Sequence, residues 1–230
     1  MTEIELRRIR ESDYRPLAEM LDREWKFYIY SQRNGVNLAE YYLFHCLDGA
    51  NEERVLTVDG RPEGILVIRE AGDDVLDFSR EMAESFERIR DDPETDRCLR
   101  ELGVLVDIYN RFAAVHKRPE WAELGLLIVS DRTKGMGLGR RLIAEAESLT
   151  KARGRTGLFF YTDTDCNFGF YDHIGAVRVG TEQMICAGEL LTVFGYYLDF
   201  GHRSPLFSMR TIIYGPYYRK PIVRACPSLY

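Results

Sequence analysis

Apolar and polar residues alternate at the start of the chain. Ile4, Leu6 and Ile9 are separated by charged positions, which predicts a first strand. The period then changes. Tyr14, Leu17, Leu21, Trp25 and Tyr28 recur at helical spacing, with Ser12 or Asp13 in place to cap the helix. Residues 37–48 predict a second helix with Leu38, Tyr41, Tyr42 and His45 on one side, read first as core packing. Two apolar runs, 54–58 and 64–68, flank Asp59-Gly60, and that dipeptide between such runs signals a hairpin. Helical spacing returns over 71–119. Val75, Phe78, Met82, Phe86 and Ile89 form one stripe; Leu99, Leu102, Val106, Tyr109 and Ala113 form another. Between them Asp92-Pro93 offers a cap followed by proline at the first helical position. Residues 120–129 read as a strand, and Leu138, Leu142, Ala146 and Leu149 as a helix that stops at Gly154. A strand at 157–162 follows, then a short helix to Ile174 capped by Asp163, Asp165 or Asn167. A closing antiparallel pair takes 176–185 and 190–200.

The richest stretch joins the 120–129 strand to the helix after it: Val129-Ser130-Asp131-Arg132-Thr133-Lys134-Gly135-Met136-Gly137-Leu138-Gly139-Arg140-Arg141-Leu142. Alternate glycines before a helix leave several backbone N–H groups uncovered. Those groups and the positive end of the helix dipole suit a phosphate. Neither a P-loop, Gly-x4-Gly-Lys-Ser/Thr, nor a dinucleotide fingerprint, Gly-x-Gly-x-x-Gly, occurs here.

This stretch resembles the signature of the GNAT superfamily of acyl-coenzyme A N-acyltransferases, Arg/Gln-x-x-Gly-x-Gly/Ala between a strand and a helix. Two registers fit. Arg132-x-x-Gly135-x-Gly137 matches the letters; Lys134-x-x-Gly137-x-Gly139 matches the usual distances to Val129 and Leu142, with Lys in the Arg/Gln place. A later stretch, Asn167-Phe168-Gly169-Phe170-Tyr171-Asp172-His173-Ile174-Gly175-Ala176, is similar to the family's second motif, Asn…Phe-Tyr-x-x-x-Gly-Phe. Its Asn sits closer to the Tyr, and Ala176 replaces an aromatic. The resemblance covers residues 3–200. It implies an α/β (α+β) fold with a mixed, mostly antiparallel sheet whose fourth and fifth strands splay around the pantetheine arm. Residues 71–119 then become a helical-hairpin insertion within a 1–200 domain, bounding the acceptor side. Acetyl-CoA contacts are expected at Leu127, Ile128, Val129, Lys134, Gly135, Met136, Gly137, Leu138, Gly139, Arg140, Asn167 and Phe170. Tyr171 matches the family's usual general acid.

Composition narrows the classes. Charged residues make up 30% and hydrophobic ones 45% of 230 residues, ordinary for a globular chain. No apolar run approaches the ~20 residues of a membrane span. Met1-Thr2-Glu3-Ile4-Glu5 does not read as a signal peptide. Five cysteines without Cys-x-x-Cys spacing argue for reduced thiols in a cytoplasmic protein, and against a zinc site. A net charge of −6 disfavours nucleic acid and favours a cationic small substrate. The last stretch, 201–230, carries five Lys or Arg, four prolines and no acid. That leaves the rest of the chain near −11, the −6 total less the tail's +5. A basic, aromatic extension on an acidic body suggests that it folds back or packs on a second subunit of a homodimer; the alternative is a frayed terminus.

Acylation of an amine by a thioester needs little from a protein. The amine must be neutral, the carbonyl oxygen needs a donor, and the departing thiolate needs a proton. No metal is required. Tyr171, with an ordinary phenol pKa near ~10, is protonated at neutral pH and suits the last task. Glu123, before the coenzyme-binding stretch, is the candidate base, acting through water. The expected function is acetyl transfer from acetyl-CoA to a primary amine, by direct transfer in a ternary complex. Two alternatives stand beside it: a catalytically silent acyl-CoA sensor or partner module, and acetylation of a protein N-terminus or lysine.

Overall fold

Asp59 and Gly60 both take positive φ, +49° and +78°, so the dipeptide makes the tight turn its chemistry favours. It joins β2 (Glu52–Val58) to β3 (Arg61–Arg69). The computed structural model describes residues 2–72 and 74–201. Before the hairpin come β1 (Ile4–Arg7), α1 (Glu11–Trp25) and α2 (Gly35–Leu47). After it come α3 (Ser79–Glu87), α4 (Pro93–His116), β4 (Trp121–Val129), α5 (Leu138–Ala152), β5 (Gly157–Asp163), α6 (Phe168–His173), β6 (Val177–Cys186) and β7 (Glu189–Asp199). The described strands form one sheet in the order β1-β2-β3-β4-β5-β7-β6. Every pairing is antiparallel except β4 with β5.

Each face of the sheet has its own core. On one, α1, α2 and α4 bring Leu17, Leu21, Leu38, Leu43, Leu105 and Phe112 against Val55, Ile65, Val67 and Phe159. On the other, α5 and α6 bring Leu142, Ile143, Ala146 and Tyr171 against Leu66, Leu124, Phe160 and Tyr196.

One helix start and one helix end differ from expectation. The first helix begins at Glu11, ahead of the expected Ser12 or Asp13 cap. Asp13 occupies its third position instead and accepts the Arg10 N–H at 2.8 Å. The same carboxylate takes both Arg7 guanidinium nitrogens, at 2.6 and 2.8 Å, fixing β1 to α1. An acid in a helix's first turn serves either role, and the sequence does not distinguish them. Tyr28 falls in a 3-10 turn past the end of α1 and is exposed. At Pro93 the start is as read: Asp92 accepts the Glu94 N–H at 3.0 Å.

The 71–119 segment holds two helices, the first shorter than its stripe, since Val75 precedes α3 and is exposed. Its second helix crosses β6 and β7. The Phe112 ring sits where Gly180 and Gly195 pair across the strands. A Cβ on Gly180 would stand 2.6 Å from that ring, and one on Gly195 3.1 Å. Burying a phenyl ring contributes about 1.5–3 kcal/mol, and this notch is where α4 collects it. Residues 202–230, and with them the expectation for the basic extension, lie outside the described residues.

Candidate active site

β4 carries the irregularity that makes the site. Its register with β3 slips between Val67 and Ile68: Val67 faces Leu126, while Ile68 faces Leu124. Gly125 is therefore an extra residue, a β-bulge. An added residue reverses the alternation of faces beyond it. Ala122 and Leu124 point to the α5/α6 core, but Leu126 and Ile128 point to the α1/α2/α4 core. The parallel pairing with β5 ends here too. It joins Trp121, Ala122 and Glu123 to Gly157, Leu158 and Phe159, and then the strands separate.

A cavity of about 60 Å³ occupies the resulting gap. Its floor is Leu124–Leu127 of β4 and 160–163 of β5; Trp25, Tyr42 and Tyr109 close it from one side, Cys166 and Tyr171 from the other. The exposed backbone edge of β4 can be assigned. Ser130 donates its N–H to Glu63 O at 2.8 Å, so it faces β3. Alternation gives Ile128 the same direction and turns the N–H groups of Leu127 and Val129 toward the gap.

The glycine turn lies at the far end of β4. Ser130 accepts from the Arg132 N–H, a 3-10 turn follows, and α5 starts at Leu138. Gly137 is its cap residue at φ +73°, ψ +13°, a left-handed conformation that glycine adopts without strain. A Cβ there, or on Gly135, would meet nothing within 4 Å. The N–H groups of Leu138, Gly139 and Arg140 belong to the helix's first turn and have no intrahelical acceptor. The result is an open cradle of amides at a positive helix end, which fits a pyrophosphate. Gly137 rather than Gly135 is the residue from which α5 starts, the place that the Lys134-x-x-Gly137-x-Gly139 register expects for its first glycine. Lys134 and Met136 are exposed around it, and Lys134 Nζ lies 3.8 Å from Asp131.

α6 packs against this turn. The Phe170 ring comes within 3.4 Å of where a Gly139 Cβ would stand. Arg140 Nη2 meets His173 Nε2 at 2.5 Å. Asn167 is the residue before α6, exposed, and its side chain does not cap the helix. Tyr171 turns inward. Phe160, Phe170 and Tyr196 surround its ring at centroid distances of 4.7, 5.3 and 6.1 Å. Burial first, and then Cys166, Asp163 and Tyr196, push its phenol far above the ordinary range, so the proton stays on at neutral pH. Burial likewise raises the Cys166 thiol, against a thiolate nucleophile.

Glu123 is beside the cavity but is not one of its walls. Its Oε2 accepts from Lys117 Nζ at 2.9 Å. The carboxylate that does line the cavity is Asp163, the last residue of β5, 1% exposed. It pairs with Val193 and shares the face of Phe159 and Tyr161, opposite to that of Tyr171. From the sequence Asp163 is only a cap candidate for the helix after it. Its signal, an acid two positions after Tyr161 at a strand end, gains meaning only once β5 is known to line a gap. Among the described residues no group of three or more His, Cys, Asp or Glu is placed to hold a metal ion, and no helix is long and apolar enough to cross a membrane.

No protein-family model matches this sequence, and no curated protein does. Solved structures do match. A protein of Desulfovibrio desulfuricans assigned to the GNAT family of acetyltransferases aligns over 86% of this chain and 99% of its own, at 13% identity and TM-score 0.52. The ribosomal-protein-S18-alanine N-acetyltransferase of Escherichia coli aligns over 90% and 100%, at 10% identity and 0.53. PH1933 of Pyrococcus horikoshii aligns over 86% and 99%, at 13% identity and 0.56. At such identities the likeness concerns the path of the backbone, and with the bulged, splayed β4–β5 pair and the glycine turn it is sufficient to state that this chain has the fold of the GNAT acetyltransferases.

Proposed function

We propose that the protein is an acyl-CoA-dependent N-acyltransferase that moves an acetyl group from acetyl-CoA to a primary amine, directly, with both substrates bound. One observation carries the reading. The open amides of the 135–140 turn, the gap-facing edge of β4 and the Tyr171 ring lie along one continuous path, with Phe170 touching both the turn and Tyr171.

Each residue has a task on that path. Gly137, Leu138, Gly139 and Arg140 donate N–H groups to the pyrophosphate, and the helix dipole adds to their attraction. Leu127 and Val129 donate from β4 to the amide and carbonyl oxygens laid along it, and Leu127 is the one that also lines the cavity. A fixed donor at the carbonyl, where negative charge develops, is usually the largest catalytic contribution. Tyr171 keeps its proton until the thiolate leaves and then donates it. The acceptor approaches from the α1/α2/α4 face, between Trp25, Tyr42 and Tyr109. Tyr109 belongs to α4, so the insertion bounds the acceptor side.

The test is thiol release from acetyl-CoA over a panel of primary amines, with mass spectrometry of the products. Amine-dependent release with a +42 Da product is expected. Acetyl-CoA binding by calorimetry without release on any amine would indicate a sensor instead. Acetylation confined to co-purified protein would move the acceptor to a polypeptide.

A further inference from the structure

α6 is six residues long, and Asn167 before it gives its first amides no side-chain cap. So short a helix does not hold its own place in water. Its placement comes from what its side chains grip. Phe170 meets the glycine turn, and Tyr171 enters the core. The third grip is on β6 and β7. Arg178 and Tyr196 are cross-strand partners, and Tyr196 belongs to the α5/α6 core, so both project on the α6 side. Arg178 Nε and Nη2 donate to the Tyr196 hydroxyl oxygen at 2.9 and 2.7 Å, and that hydroxyl donates to Asp172 Oδ1 at 2.7 Å. Arg178 Nη2 also reaches Asp172 Oδ2 at 3.3 Å. The hydroxyl thus uses both lone pairs and its proton. The guanidinium carbon lies 4.0 Å from the Phe194 ring centroid and 5.6 Å from that of Phe168, the first residue of α6.

We propose that Arg178 and Tyr196 are positioning residues for acyl transfer: through Asp172 they fix the rotation of α6, and so the direction in which Tyr171 presents its proton. The inference rests on the acyltransferase reading above and adds the residues that aim its acid. Asp172 and Tyr171 are adjacent on one short helix, so a rotation of that helix moves both together. Among the described residues no hydrogen bond holds the Tyr171 hydroxyl itself, so its aim is set by its ring and its backbone. Tyr196 acts on both. Its ring lies 6.1 Å from that of Tyr171, and its hydroxyl holds Asp172. Burial first, and then Asp172, push the Tyr196 phenol up to about 12, so the proton it gives Asp172 stays in place at neutral pH. A misplacement of about 1 Å at a reacting group can cost roughly 10²-fold in rate. The cradle amides belong to the start of α5, not to α6, so the pyrophosphate keeps its donors when this grip is lost.

The experiment is a double-mutant cycle read by single-turnover acetyl transfer to the fastest primary amine of the panel. Arg178→Gln and Tyr196→Phe are each made in the wild-type and in the Tyr171→Phe protein. In the wild-type background each is expected to slow transfer about tenfold or more, with acetyl-CoA affinity by calorimetry changed less than about threefold. In the Tyr171→Phe background the same changes should slow transfer by less than about twofold, because no proton is left to aim. Asp172→Asn keeps an oxygen for the Tyr196 hydroxyl and should retain more of the rate than Asp172→Ala. A merely structural role would lower the rate equally in both backgrounds, or lower coenzyme affinity in step with it; either result overturns the proposal. So does an Arg178→Gln protein that transfers at the wild-type rate. A Tyr171→Phe protein as fast as wild type would end the aiming role while leaving acyl transfer standing. No amine-dependent transfer by the wild-type protein would defeat the acyltransferase reading itself, and the aiming role with it. If Tyr196→Phe does not fold, Arg178→Gln carries the cycle.

Discussion

Tyr171→Phe separates the proton from the ring. The ring is held by Phe160, Phe170 and Tyr196, and phenylalanine preserves all three contacts. Among the described residues the hydroxyl makes no hydrogen bond that the change would leave unpaired. Folding stability should therefore move by less than about 0.5 kcal/mol. At roughly 2–4 °C per kcal/mol for a chain of this size, the melting temperature should move by less than about 2 °C. The chemical step is another matter. One positioned acid contributes about 10²–10⁴-fold, or roughly 2.7–5.4 kcal/mol at 1.36 per decade. Burial holds the phenol above its usual pKa, so wild-type activity should show no loss from its ionisation below pH ~10. The assay is single-turnover acetyl transfer with saturating acetyl-CoA, which reads chemistry rather than product release. A Phe variant within threefold of wild type in that assay, folded and binding acetyl-CoA normally, would refute the role and leave Tyr171 as packing.

Gly137→Asp puts a Cβ on a left-handed residue and a carboxylate into the amide cradle; acetyl-CoA affinity should fall about tenfold or more (~1.4 kcal/mol). Unchanged affinity by calorimetry in the folded variant would remove the turn from the coenzyme site. Glu123→Gln should lower kcat by less than tenfold, because its carboxylate is engaged by Lys117 outside the cavity; a loss of 10² or more would restore it as the base. Phe112→Ala should cost about 3–5 kcal/mol, read as a fall in urea midpoint, with acetyl-CoA binding retained; a loss under 1 kcal/mol would mean that the glycine notch does not anchor α4. Burial raises the phenol pKa of both Tyr30 and Tyr171, so at alkaline pH the unfolded chain ionises first. The stability these groups contribute is complete below pH ~10 and declines above it, by up to about 1.4 kcal/mol per pH unit for each. Urea midpoints that stay flat from pH 9 to 11 would contradict this.

What the sequence disclosed follows from how local each signal is. Asp59-Gly60 and Asp92-Pro93 are turn and cap chemistries written in two adjacent residues, and both appear where they were read. The glycine turn was legible for the same reason. The place of Asp163 in the cavity wall was not, because it depends on Val193 on a strand thirty residues away and on a gap that no local pattern marks. Glu123 looked available because its partner, Lys117, belongs to the end of the insertion, and only the turn at 117–121 brings them together. The exposed ends of the expected stripes, Tyr28 and Val75, show where periodicity continued past the helix that it suggested.

The bulge at Gly125 has a consequence for how this gene can change length. β4 is two half-strands of opposite parity joined at one residue. Removing that residue would not shorten the strand so much as invert its second half, sending Leu126 and Ile128 toward α5 and turning the Leu127 and Val129 amides back into the sheet. Single-residue deletions anywhere from 125 to 129 should therefore be more damaging than substitutions at the same sites. A paired change, one residue lost on each side of the bulge, would keep the parity on which the donor edge depends.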